Sequence, residues 1–75
     1  LAGQQAQDTI AALTPRESEC LQLSAQGHTA KEIAALIGRS VPTATLHLKS
    51  ATAKMGARNR THAVALALQY RLIQL

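Results

Sequence analysis

From Leu13 onward apolar residues recur at helical spacing, and Gly27, Gly38 and Gly56 cut that pattern into four stretches. Behind each of these glycines stands a residue able to cap a new helix: Thr29, Ser40 and Asn59. The first stretch opens on Thr14-Pro15-Arg16-Glu17, where Thr14 caps, Pro15 fits the first helical position and Glu17 completes a capping box. Its apolar face is Cys20 and Leu21 with the small Ser24 and Ala25. A second capping box, Thr29-Ala30-Lys31-Glu32, begins the next helix, whose face is Ile33, Ala34, Leu36 and Ile37. Only Arg39 lies between Gly38 and the Ser40 cap, so the second and third helices must cross steeply, as in a helix-turn-helix.

The third helix is predicted from about Val41 to Met55. Ala44, His47, Leu48, Ala51 and Met55 form its buried stripe, while Thr45, Lys49 and Thr52 form a polar stripe opposite. The fourth is predicted from about Arg60 to Tyr70 or Leu72. Its run Ala63 to Leu68 is apolar without a break and covers more than one face, which predicts burial on two sides: one by this domain, the other by a partner. Residues 1–12 carry no clear stripe or turn chemistry and read as a tether from an upstream domain, leaving 13–75 as the ordered domain. A chain that starts at Leu1 and has Met55 as its one methionine reads as a piece of a longer protein.

Composition supports the all-α reading. The 75 residues are 47% apolar, mostly Ala and Leu, with Tyr70 the single aromatic, which suits close-packed helices and argues against a β-sandwich or a disordered chain. One cysteine excludes an internal disulfide, and the apolar run is too short for a membrane span, so a reducing cytosol is the expected compartment. Charge sharpens the picture further. Eight Lys and Arg face four acids, for a net charge of +4, and no acid follows Glu32. Arg39, Lys49, Lys54, Arg58, Arg60 and Arg71 thus make one end basic, a pattern that attracts nucleic acid first and anionic membrane second.

Leu13-Thr14-Pro15-Arg16-Glu17-Ser18-Glu19-Cys20-Leu21 resembles the opening of the LuxR-type (GerE-like) helix-turn-helix domain. The resemblance continues through Gly27, Lys31-Glu32-Ile33-Ala34, Ser40, Thr43, His47, Lys54-Met55-Gly56, Arg58 and Arg60, and spans about Leu13 to Leu68. It implies a four-helix, all-α DNA-binding domain of a bacterial transcription regulator, placed behind a sensory or phosphoreceiver domain. It further implies a homodimer on an inverted-repeat operator in double-stranded DNA, and contact with RNA polymerase if the regulator is an activator. A small-molecule or phosphorylation signal would then act only through the upstream domain. The tail Leu72-Ile73-Gln74-Leu75 is similar to those of acyl-homoserine-lactone receptors. Arg39 stands where relatives carry an apolar residue, and Ala44 and Ala51 are smaller than the usual branched residues, which lets the third helix sit closer to its scaffold.

By that resemblance Thr45, Leu46 and Lys49 face bases, and Thr29, Lys31, Thr43, His47, Lys54 and Arg58 face the DNA backbone. Physical chemistry leaves a plainer reading beside each. Lys49 donates to guanine acceptors or to phosphate, or is a solvated lysine; Leu46 meets a thymine methyl, or is a surface leucine; Thr45 donates to a base edge or to phosphate. Thr29 and Thr43, at helix N-termini, suit a phosphate oxygen but also serve as caps. His47 packs at the edge of the core, and Arg58 and Arg60 grip phosphate or pair with Glu17 or Glu19. Ala63, Ala67, Tyr70 and Leu72 are the expected dimer surface, with Ala63, Ala65 and Ala67 small enough to admit a second helix.

No metal, cofactor or catalytic site is expected. His28, His47 and His62 are far apart in sequence, and Cys20 makes no ligand pair at helical spacing. The rival to DNA binding is a small protein-interaction module that uses the apolar fourth helix, against which the acid-free stripe of the third helix speaks.

Overall fold

A computed structural model describes residues 13–75, and among these residues there are four α-helices. They are α1 (Pro15–Ala25), α2 (Ala30–Ile37), α3 (Val41–Lys54) and α4 (Arg60–Gln69). The tether expected at 1–12 lies outside the described residues.

The helix starts follow the capping chemistry. The Glu17 N–H donates to Thr14 Oγ1 at 3.1 Å while the Thr14 N–H donates to Glu17 Oε1 at 2.8 Å. Thr29 and Glu32 repeat this reciprocal pair at 3.2 and 2.8 Å. Ser40 and Asn59 accept from the N–H groups of Thr43 and His62. The helix ends share one device: a residue with positive φ, followed by an N–H that bonds back five residues. Gly27, Gly38 and Gly56 fill that place for α1 to α3. For α4 it is Arg71, at φ 58, and the Leu72 N–H reaches Ala67 O at 2.8 Å. The helix therefore closes at Gln69, short of the expected Tyr70 or Leu72, and the chain doubles back to bury Ile73. The Gln22 side chain then holds the tail, accepting the Gln74 N–H at 2.9 Å and donating its own amide to Gln74 O.

The core takes Cys20 and Leu21 from α1, Ile33, Ala34 and Ile37 from α2, Ala44, Leu48 and Ala51 from α3, Ala63 and Ala67 from α4, and Ile73. Its many alanines let the backbones approach closely, which is how a core without a large aromatic fills. Both α1 and α3 pack against each of the other three helices, whereas α2 and α4 do not touch each other.

Two expectations fail. Leu36 is 59% exposed, because it lies roughly 100° round a short helix from the Ile33, Ala34 and Ile37 stripe that meets α3. Ala63 and Ala67 are not a dimer surface: both are fully buried in this chain's own core. Val64, Leu68 and Leu72 pack at the core margin, so intramolecular burial accounts for more of the apolar run than a single stripe would.

Candidate nucleic-acid interface

Two sides of α3 have structural work. Ala44, Leu48 and Ala51 are buried, and Ser50 and Lys54 meet the Glu17 carboxylate on α1. An open side carries Val41, Pro42, Thr45, Leu46 and Lys49, which line a shallow concavity over the first two turns. Leu46 is 65% exposed and Val41 42%, both large apolar side chains left open to solvent. A second concavity, of about 500 Å³, follows along the helix, sharing Thr45 and Lys49 and continuing past Thr52 and Ala53 to Ala30, Ala57, Asn59 and Arg60. The Thr52 hydroxyl is already bonded to Leu48 O at 2.7 Å.

The sequence-predicted residues divide into three groups. Thr45, Leu46 and Lys49 share one face of α3, exposed or half-exposed. Thr29 and Lys31, both exposed, stand at the start of α2, and Arg58 is exposed just before α4. Thr43 and His47 are half-buried, and the Thr43 hydroxyl lies 2.9 Å from Ser40 Oγ at the α3 cap. Arg58 is held by its backbone, whose N–H donates to His62 Nδ1 at 3.0 Å.

Lys54 departs from the expectation. Its ammonium lies 2.8 Å from Glu17 Oε1, inside the domain rather than towards a ligand. Glu17 is only 3% exposed, and burial alone would raise its carboxyl. Hydrogen bonds from Lys54, Ser50 and the Thr14 backbone, with the Lys54 charge, outweigh that and hold it at about 2. The pairing of Arg58 or Arg60 with Glu17 or Glu19 does not occur either: Lys54 holds Glu17, and Arg16 holds Glu19 at 2.7 Å. A contact across 37 positions leaves no periodicity in the sequence to betray it. Ala53, on the second concavity, went unremarked for the same reason, and Asn59 and Arg60, read from sequence as a cap and as a phosphate or acid partner, meet it only because different helices bring them together.

Electrostatics follow from this pairing. Glu32 is exposed, held low by the Thr29 backbone and by proximity to His28 at 3.8 Å. No ion pair among the described residues uses Lys31, Lys49, Arg58 or Arg60. Among the described residues, cationic groups thus border the open face of α3 without acid partners, and the acids are engaged on α1 and α2. Cys20 is fully buried, and burial pushes its thiol up, so it is held as the unreactive protonated form.

Comparison with known proteins points the same way. The family model described as bacterial regulatory proteins, luxR family, matches residues 11–67. The transcriptional activator protein BjaR1 of Bradyrhizobium diazoefficiens is 48% identical over 61 residues, which is 81% of this chain and 25% of that protein. The quorum sensing-dependent transcriptional regulator RpaR of Rhodopseudomonas palustris is 51% identical over 63 residues, 84% of this chain and 26% of that protein. The chain thus spans about a quarter of the length of the curated relatives it matches. Among solved structures, the transcription factor GerE aligns with a TM-score of 0.79 at 27% identity, covering 83% of this chain and 92% of that one.

Proposed function

The chain belongs to the luxR family of bacterial regulatory proteins, and from that premise we propose that it is the DNA-reading domain of a transcriptional regulator. α3 lies in the major groove with Thr45, Leu46 and Lys49 against base edges, and Thr29, Lys31, Thr43, His47 and Arg58 grip the flanking phosphates. The observation that carries this is the face of α3 itself: it lies outside the buried stripe of Ala44, Leu48 and Ala51, and it presents a lysine and an exposed leucine with no acid on the helix. A leucine fits a thymine methyl and a lysine the acceptors of guanine, both found on the major-groove edge.

The working unit is a homodimer on an inverted repeat, with half-site centres about 10 base pairs apart. Tyr70 and the outer edge of Leu72, just past the end of α4, remain as its surface, now without Ala63 and Ala67. The signal enters through a segment beyond this chain; RpaR, by its name, is quorum sensing-dependent, which supports a diffusible small molecule as that signal. RNA polymerase is the further partner if the whole protein activates, and such a regulator works in the cytoplasm. The rival interaction module loses ground because the apolar run of α4 is so largely engaged within the domain.

Fluorescence anisotropy with a labelled duplex across a salt series tests the reading. Binding that weakens linearly in log–log form, with a slope of about −0.9 per neutralised phosphate, is expected. Absence of salt-dependent binding to any duplex would refute it.

A further inference from the structure

α3 and the gap beside it form a second concavity, and its chemistry differs from that of the base-reading face. α2 and α4 both pack on α3 without touching each other, and the space between their N-termini stays open. Its floor is methyl groups, from Ala30, Ala53 and Ala57, and its cationic side chains are Lys49 and Arg60. Arg60 is exposed and in no ion pair among the described residues.

Position identifies an occupant. A recognition helix places its N-terminal turns against base edges, so its later turns rise past the strand that walls the groove. The concavity starts at Thr45 and Lys49 and continues along those later turns. A DNA strand offers matching chemistry there, since each deoxyribose has an apolar face and each phosphate a full charge. We propose that this concavity seats one sugar–phosphate strand of the bound duplex, with Arg60 as the phosphate ligand supplied by α4. This rests on the DNA-reading function above. It makes α4 a part of the DNA grip, and explains why small residues stand at Ala53 and Ala57: a larger side chain would fill the seat. An apolar peptide would suit the floor but leave two cations unmatched, and no acid after Glu32 offsets them.

Two variants of the 75-residue chain test this by anisotropy against duplexes of different sequence. Arg60→Gln removes a cation from the positive end of α4, so the helix is not weakened, and circular dichroism checks the fold. Its binding should weaken by about five- to ten-fold at about 0.1 M salt, equally on every sequence, with the salt slope reduced by about 0.9. Ala53→Leu fills the floor from an exposed position with a strong helix former. It should weaken binding to every duplex without altering the order of preference. An Arg60→Gln slope equal to wild type, or wild-type affinity in Ala53→Leu, overturns the proposal; the second is the result a peptide-binding concavity gives. Failure of the wild-type chain to bind any duplex instead sinks the parent reading, and this one with it.

Discussion

Lys54 Nζ and Glu17 Oε1 meet at 2.8 Å, bridging the end of α3 to the first turn of α1 across 37 positions of sequence. The same carboxylate receives the Thr14 N–H at 2.8 Å, so one buried acid closes the α1 cap and fixes the angle at which α3 leaves the core. The orientation of α3 therefore depends on an electrostatic contact as well as on packing.

This contact predicts an acid-sensitive fold. Glu17 sits at about 2 in the folded domain against 4.5 ordinarily, so its contribution is fully present above pH 4.5 and fades as pH falls towards 2. The shift corresponds to about 3 kcal/mol. Urea unfolding across this range should show the loss, and Glu17→Gln should flatten the profile.

Lys54→Ala should act on stability rather than on DNA charge matching. Leaving Glu17 buried without its cation is expected to cost about 2–4 kcal/mol, tempered by a Lys54 side chain that is 33% exposed. In protein shown to be folded, the salt slope of DNA binding should match wild type. A slope lower by about one would return Lys54 to the phosphate contacts.

On α4, two neighbouring alanines should behave oppositely. Ala67→Glu places a charge at a fully buried site and should unfold the domain, whereas Ala65→Glu, at an exposed site, should leave its melting temperature nearly unchanged. Thermal melts by circular dichroism distinguish the two.

Arg71→Gly should stabilise. Arg71 holds φ 58 where the three other helix ends use glycine, and relief of that strain is worth up to about 1 kcal/mol after glycine's entropic cost. A domain of this size should melt about 4–8 °C higher per kcal/mol gained.

Local chemistry explains why so much of this fold is legible from sequence. Thr14, Thr29, Ser40 and Asn59 cap helices through bonds that span three residues, and Gly27, Gly38 and Gly56 end them through φ values that glycine favours. What the sequence hides is tertiary. Periodicity places Ala63 and Ala67 on an apolar face but does not say whether this chain or a partner covers it. It likewise assigns Leu36 to a stripe wider than the one α3 covers. Arg71 carries no glycine to announce the turn it makes, and the partner of Lys54 is set only by the crossing of α1 and α3. For the candidate interface, spacing puts Thr45 and Lys49 on the polar stripe and the family resemblance adds Leu46, whereas Arg60 joins them only through the packing of α4 on α3.

Selection from randomised DNA, comparing wild type with Lys49→Ala and Thr45→Ala, tests most directly that α3 reads sequence. Each variant should lose preference at particular base pairs and keep the rest of the site, at about 1–3 kcal/mol for a good contact. If both select the wild-type site as sharply as wild type does, α3 is not the reader.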